Sequence, residues 1–421
     1  MAKAIGLFVF FLCVFNIRIS FLPVSPIIIV GVIGSIVWTI SSLKNKHRAS
    51  DYKILGYILL LILIGLISST INGTFDKYYY KEIIIANFCR FFTAYILIAY
   101  LTHFYKDKFT LKFLTYIFLW FAIIQIVISF TVYISPHLYS IIFNLFSSGE
   151  LSSTKTEGAL GIRPFGIGDY AFFGAGLYNC FVLLLISYIL IDQSKDSHIL
   201  FSIGLFLIAI LGTILARTNL VGIVISLSII LLNKYGRKLV CKFVIYATII
   251  IALFNLFDFH LVFSDQMETA FQFGFELFSN YQETGSFYSK STDNMMQMYI
   301  YPDNPLTWII GDARLRLDET TYYMHTDIGI LRLIYAIGTI GLLLFLIYQY
   351  KIISYASTIF THNKRLIILA YILTVVVLNL KGLADMSFYF FTLYFLSYAK
   401  YGKSGKEELT KPQNISNCSN L

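Results

Sequence analysis

The sequence has little charge and little proline for its length. Asp, Glu, Lys and Arg make up 13% of the 421 residues, which is roughly half of the share in a typical soluble domain. Hydrophobic residues make up 57%, and apolar runs of about 20 residues, long enough to cross a bilayer, recur along the chain. The scarcity of charge therefore excludes a soluble globular protein and predicts an all-α, polytopic membrane protein.

Cysteine pairs and metal-ligand patterns are also missing. The five cysteines fall in predicted helices or in basic segments, so we expect neither a disulfide framework nor a cysteine metal site. The polar loops contain no Asp-x-Asp pair, and we predict no metal and no cofactor. All seven prolines lie in predicted loops or in the tail, whereas alternating-access transporters often interrupt their helices with proline or glycine.

Hydropathy predicts about twelve membrane helices in one transmembrane domain over residues 1–400. The first apolar run has no small-residue cleavage site behind it and is expected to be a retained helix rather than a signal peptide. The polar tail, 401–421, is expected to be cytoplasmic and disordered. The predicted helices cover 4–22, 25–43, 53–71, 84–104, 112–134, 170–191, 198–215, 219–233, 239–257, 326–350, 365–383 and 386–400.

Basic residues predict the orientation. With the N-terminus inside, 20 of the 32 Lys and Arg residues lie in cytoplasmic segments, as the positive-inside rule requires. Both termini are then cytoplasmic, and this distribution of the +9 net charge argues against nucleic acid as a partner. Two outer loops follow, at about 135–169 and 258–325. The second is acidic, and Met267, Phe271, Phe275 and Phe278 recur in it at helical spacing, which predicts an amphipathic helix on the outer membrane interface.

The arginines are not distributed across the membrane in the way that the lysines are. Seventeen of 22 lysines lie on the inside, but seven of ten arginines lie in outer loops or in the outer halves of helices. Charge at membrane depth is costly and usually faces a cavity or a partner, and the guanidinium fork matches two phosphate oxygens at once. This favours an outward site for an anion such as a diphosphate; pairing with the acidic loop or with lipid headgroups is the alternative. The seven are Arg18, Arg90, Arg163, Arg217, Arg314, Arg316 and Arg332.

Three positions stand out. In GTILARTNLVGIV, Arg217 lies at a tight turn between two apolar helices, and in GALGIRPFGIGDYAFFGAG, Arg163 lies in a glycine-rich loop. In TYYMHTDIGILRL, His325 opens a predicted membrane helix and is able to accept a proton near neutral pH. Arg332 follows seven residues later, on the same face of that predicted helix, and Asp327 is expected to cap the helix.

These segments resemble the O-antigen polymerases and O-antigen ligases of bacterial inner membranes. The resemblance is carried by Arg163 with its following glycines, by the hairpin ARTNLVG, and by the large outer loop that ends in HTDIGILRLIYAIGTIGLLLFL. The topology resembles the family over nearly the whole chain, whereas these motifs span some forty residues. Gly338 and Gly341 in the last motif are also explained by close helix packing.

The resemblance implies a metal-independent membrane glycosyltransferase of the GT-C class. Its donor is a sugar chain on undecaprenyl diphosphate, its active site faces the periplasm, and a separate chain-length regulator is an implied partner. Arg217 and Arg163 would contact the lipid diphosphate, and His325 would activate the acceptor hydroxyl. Arg332, Arg90 and Arg314 are further candidates from the outward arginines. A polymerase is the leading hypothesis, and a ligase and a lipid-linked oligosaccharide flippase are the alternatives.

Overall fold

The computed structural model describes residues 1–44, 47–147, 163–192, 198–233, 236–238, 265–286 and 288–409. The protein is all-helical, with 78% of it in helices, as the composition predicts. A two-residue antiparallel pair is the one sheet in the described ranges, and it joins β1 (Arg18–Ile19) to β2 (Phe146–Ser147). Helices therefore carry the architecture.

Sixteen α-helices are described. They are α1 (Ala2–Val14), α2 (Pro26–Ser42), α3 (Ala49–Asn72), α4 (Lys77–Tyr79), α5 (Ala86–Tyr105), α6 (Leu111–Ile134), α7 (Pro136–Leu145), α8 (Phe173–Ile191), α9 (His198–Leu215), α10 (Asn219–Leu232), α11 (Asp265–Thr284), α12 (Lys290–Gln297), α13 (Pro305–Ile310), α14 (Gly329–Ala356), α15 (Lys364–Asn379) and α16 (Ser387–Leu409). A π-helical segment, Tyr80–Ile85, joins α4 to α5.

Eleven of the twelve predicted segments coincide with helices, and the segment 239–257 lies outside the described residues. Five helices are long and apolar enough to cross a membrane: Ala49–Asn72, Lys77–Lys108, Leu111–Ile134, Phe173–Ile191 and Gly329–Ile359. The prediction for 4–22 was too long, because the chain leaves the helix after Val14 and Asn16 has a positive φ of 47°. The predicted disorder of the tail is corrected for 401–409, since α16 continues to Leu409, and 410–421 lie outside the described residues.

The centre of the bundle is α8. Every residue from Ala175 to Ile191 is buried, so that this apolar helix is surrounded by protein. Helices α6, α9, α10 and α15 pack around it, and a second group is formed by α2, α5 and α16. Close contact with α10 requires Gly222, because a Cβ there would lie 2.7 Å from the backbone of Cys180.

The two ends of the bundle differ. At one end the helices are joined by short basic segments. There the hydroxyl groups of Tyr188 and Thr361 form a hydrogen bond of 3.2 Å, and the Lys3 ammonium lies over the ring of Tyr105. The other end, which we call the loop end, carries the long connections. There the Asn72 amide donates to the Gly311 carbonyl at 2.9 Å. The loop end consists of residues 16–25, 72–85, 135–147, 163–172, 216–218, 265–328 and 380–386.

Helix α14 is broken near the loop end. Gly338 has a φ of +67° inside it, and α13 approaches at this point so closely that a Cβ on Gly338 would overlap the carbonyl group of Ile309. Gly338 therefore serves close packing, as one of the two sequence interpretations predicts, whereas a Cβ on Gly341 would meet the side chain of Ile337 in the same helix. The absence of proline from the interior of α14 did not exclude a break, because glycine adopts this conformation without steric cost.

The predicted amphipathic helix exists as α11. Its apolar face contacts protein: Met267, Phe271 and Phe275 pack around a small core that contains Tyr133 of α6 and Ile214 of α9. Phe278 is 48% exposed. The expected position on the membrane interface is thus corrected for most of this face, because helices α6 and α9 offer an apolar surface that covers it.

Candidate functional site

Five of the seven outward arginines lie at the loop end, and Arg90 of α5 and Arg332 of α14 contact residues of that end. The structure divides the seven into groups. Arg163 and Arg217 form one pair, and Arg332 lies with Arg316 in a second cluster. Arg314 is near that cluster, with its guanidinium 5.7 Å from the centre of the Tyr323 ring. Arg90 and Arg18 belong to neither group, and Arg90 is bound to a carboxylate of its own.

Arg163 and Arg217 meet at one aromatic ring. Their guanidinium carbons lie 5.0 and 4.1 Å from the centre of the Phe273 ring. Arg217 projects from the turn between α9 and α10, as the sequence predicts, and Arg163 comes from the loop before α8, where it also stacks on Phe172 at 4.3 Å. Both cations thus contact the Phe273 ring, and aromatic faces attract positive charge.

The two arginines differ in their partners. Arg217 forms an ion pair with Glu276 of α11, and its Nε donates to the Phe273 carbonyl at 2.8 Å. Arg163 has no ion pair and no hydrogen bond among the described residues. Burial, together with the positive charge of Arg217, lowers the pKa of Arg163 to about 10. A half-buried cation beside another cation is costly, and an anionic ligand between the two would relieve that cost.

A lysine lies beside this pair, and the sequence analysis had given it no role. Burial, followed by the charges of Arg217 and Arg163, lowers the pKa of Lys381 to about 8. Lys381 belongs to the loop 380–386 between α15 and α16, and its ammonium has no ion pair or hydrogen bond among the described residues. The sequence analysis placed Lys381 near the outer end of the predicted helix 365–383, whereas α15 ends at Asn379. The proximity of Lys381 to the arginines was not visible in the sequence.

Arg90 forms an ion pair with Asp385, near the other end of the 380–386 loop. Its Nη1 donates to Asp385 at 2.6 Å, and the same carboxylate accepts hydrogen bonds from Asn87 at 3.0 Å and from Gln349 at 2.8 Å. The backbone N–H of Ser387 adds a fourth at 2.9 Å. Asn87 and Gln349 are buried. Arg90 thus supports a buried polar network, and its assignment to ligand binding stays a prediction.

Arg332 is 94% buried, since its exposed fraction is 6%. It stacks on Tyr322 at 3.8 Å, and Arg316 faces the same ring at 4.8 Å. Glu82, within the π-helical segment, lies 2.5 Å from Arg316 and 3.5 Å from Arg332. Such π-helical segments are frequent at functional sites. Here the segment places a carboxylate between two arginines, a role that the sequence analysis missed.

His325 is exposed and lies before α14, not on it. It ends a 3₁₀ turn, Tyr323–His325, and has a φ of 52°. The prediction that His325 and Arg332 share one helix face is therefore wrong, because α14 begins at Gly329. Its imidazole makes no hydrogen bond or ion pair within the described ranges, so the ring is accessible at the loop end.

Asp327 does not cap α14. The N-cap residue is Ile328, and no side chain caps the helix. Instead the Thr326 hydroxyl accepts a hydrogen bond from the Ile328 N–H at 3.2 Å and donates to the Met298 carbonyl at 2.8 Å. Thr326 thus fixes the position of the turn that carries His325, and the capping prediction is corrected.

Comparison with known proteins gives no family for the chain: no family model, no curated protein and no solved structure matches it. Among the described residues, no group of three or more His, Cys, Asp and Glu side chains is arranged to hold a metal ion. The arginine site therefore consists of Arg163, Arg217 and Lys381. His325 lies at the same end of the bundle and forms no hydrogen bond or ion pair with them among the described residues.

Proposed function

We propose that the protein is an O-antigen polymerase of the bacterial inner membrane. It transfers a growing polysaccharide from undecaprenyl diphosphate onto a lipid-linked repeat unit, and the loop end faces the periplasm. The observation that carries the proposal is the pairing of Arg163 and Arg217 on the Phe273 ring, with Arg163 lacking an acidic partner among the described residues. Two adjacent guanidinium groups suit the oxygens of a diphosphate.

The reaction requires a stabilised leaving group and a base. The bond between the donor sugar carbon and the diphosphate oxygen breaks, and the acceptor hydroxyl oxygen forms the new bond to that carbon. Arg163 and Arg217 would neutralise the departing diphosphate, a role that typically contributes a few kcal/mol per donor. His325 would take the hydroxyl proton, which is worth about 10²- to 10⁴-fold in rate. In this scheme arginines do the work that divalent metals do elsewhere.

The membrane assignment is supported by the five apolar helices, and the orientation is supported by the basic-residue distribution. A reporter that is active in the periplasm alone, fused at the exposed residue Asp303, is expected to be active. Activity of a cytoplasmic reporter at the same position would reverse the orientation. Lipid-linked oligosaccharides and membrane lipids are the expected partners, and a chain-length regulator is a further one.

Lipopolysaccharide banding in a deletion strain tests the function. Loss of a polymerase leaves core carrying one repeat unit. Loss of a ligase leaves polymer on the lipid carrier, and loss of a flippase leaves neither at the surface. Extension of lipid-linked repeat units by the purified protein would then establish the activity, and no extension together with stranded polymer in the deletion strain would replace the polymerase with the ligase.

A further inference from the structure

The loop that carries Lys381 is held from three sides. The Tyr299 hydroxyl donates to the Leu380 carbonyl at 2.6 Å. Gly382 packs directly on Gly329 at the start of α14, and a Cβ on Gly382 would lie 3.2 Å from the Phe173 ring. Phe173 begins α8, immediately after the Phe172 ring on which Arg163 stacks. The loop therefore fixes the backbone of Lys381 against the segment that carries Arg163.

The loop is also closed on itself. Asn379 donates from Nδ2 to the Ala384 carbonyl at 3.1 Å, and its Oδ1 accepts from the Ala384 N–H at 3.1 Å. Both groups are buried. Such a paired amide holds a loop in one conformation, so the backbone position of Lys381 is built into the fold.

The charges around Lys381 do not balance. Arg163 and Arg217 face it from the loop before α8 and from the turn between α9 and α10, and Glu276 of α11 is already paired with Arg217. The three cations and one carboxylate leave two positive charges at this place.

Further along the 380–386 loop, Asp385 is bound to Arg90. Its carboxylate is thus already neutralised and does not offset the excess. A partly buried excess of two positive charges matches a dianion.

We propose that Lys381 is the third cation of the anion site and that it takes up a proton when a diphosphate binds at alkaline pH. This inference rests on the proposed function, because it assigns a further residue to the same site. The bound anion adds two negative charges next to the ammonium and so favours its protonated form. Lysine is suited to this role since its charge responds to its surroundings, whereas arginine stays charged.

The pH dependence follows from the direction of the shift. Without ligand, the pKa of Lys381 is about 8; with a dianion bound, it must rise. Affinity is therefore full below pH 8 and falls as the pH rises above it, because the proton must be supplied on binding. For one such proton, binding should be about tenfold weaker at pH 9 than at pH 7.

The experiment measures binding of a water-soluble dialkyl diphosphate diester, whose two charges do not titrate near neutral pH, to the purified full chain in detergent. Wild type should lose about tenfold in affinity between pH 7 and pH 9. Lys381→Met should bind about tenfold more weakly than wild type at pH 7, the worth of one charge-assisted hydrogen bond, with no further change at pH 9. Lys381→Arg should bind well at both values. Lys77→Met, which changes an exposed lysine at the same end, should behave as wild type.

The outcomes separate this inference from the proposed function. If Arg217→Ala abolishes binding while Lys381→Met binds as tightly as wild type at pH 7, Lys381 is no part of the site and the diphosphate site stands. The same conclusion follows if Lys381→Met retains the pH dependence of wild type. If wild type binds no diester at either pH, both proposals fail.

Discussion

The carboxylate of Glu276 pairs with the guanidinium of Arg217. Arg217 is one of the three positions that the sequence analysis singled out, and in this structure its guanidinium is paired with a residue of α11. The Phe273 ring and carbonyl come from the same helix. Helix α11 thus covers Arg217 with a carboxylate at the place where a phosphate is expected to bind.

Glu276→Gln should tighten binding of a diphosphate diester by about fivefold. A partly exposed ion pair is worth about 1 kcal/mol, and a bound phosphate must displace this one. Equilibrium binding to the purified variant measures the effect. Glu268→Gln, an exposed residue on the same helix, is the matched control and should leave the affinity unchanged. Weaker binding by Glu276→Gln would mean that the carboxylate orients Arg217 instead of competing for it.

Arg217→Lys should reduce chain extension by about 10²-fold, a loss typical of removing one preorganised donor, and Arg217→Ala should do the same. A lysine keeps the charge but not the planar fork, and it cannot also reach the Phe273 carbonyl in the geometry of Nε. Banding of lipopolysaccharide at equal protein levels measures this. Arg365→Lys, at an exposed position of the opposite end, should be silent. Full-length polymer from the Arg217→Lys strain would show that charge alone suffices.

His325→Ala or His325→Gln should abolish chain extension and leave the protein folded. The side chain is exposed and supports no packing, so a loss of about 10²-fold or more would report the missing base. Gel analysis of products from lipid-linked repeat units over time is the measurement. Asp327→Asn, which keeps an oxygen at its position, should extend chains almost normally. Undiminished extension by His325→Ala would show that His325 is not the base. An equal loss in Asp327→Asn would show that the Asp327 carboxylate takes part in the reaction.

Arg90→Met should destabilise the protein by about 3 kcal/mol, because it leaves the Asp385 carboxylate without its counter-ion. Thermal unfolding in detergent detects the change as a lower midpoint. The double variant Arg90→Met with Asp385→Asn should recover part of the loss, since the uncompensated charge is then gone. An unchanged midpoint combined with lost diphosphate binding would show that Arg90 belongs to the ligand site.

Gly338→Ala should lower the midpoint of thermal unfolding by several degrees. The residue has a φ of +67°, and a Cβ would overlap the carbonyl group of Ile309. The conformation alone costs about 1–3 kcal/mol for an L-residue. Gly56→Ala is the matched control, because a Cβ there meets nothing within 4 Å and alanine favours the helix. Equal midpoints for the two variants would show that α13 can move away from the break.

Helix positions were predicted well, whereas several helix ends were not. The apolar runs of α6, α8 and α9 begin and end within about three residues of the predicted bounds, since a run of this composition has no stable alternative to a helix in a bilayer. The end of α1 at Val14 and the start of α14 at Gly329 depend on contacts with distant segments. One such contact is the hydrogen bond that the Asp169 N–H donates to the Phe15 carbonyl at 2.6 Å. Hydropathy carries no record of such contacts.

The sequence by itself determined that the chain is helical, that it is rich enough in apolar segments to lie in a membrane, and that its arginines collect at one end. Those properties follow from composition and spacing, which act locally along the chain. The tertiary structure decided which arginines are available to a ligand. It pairs Asp385 with Arg90 and Glu276 with Arg217. It also places Lys381 near Arg163, with no acidic partner for Lys381 among the described residues. Each ion pair depends on two segments that are distant in the sequence and meet in the fold, and no local pattern encodes that meeting.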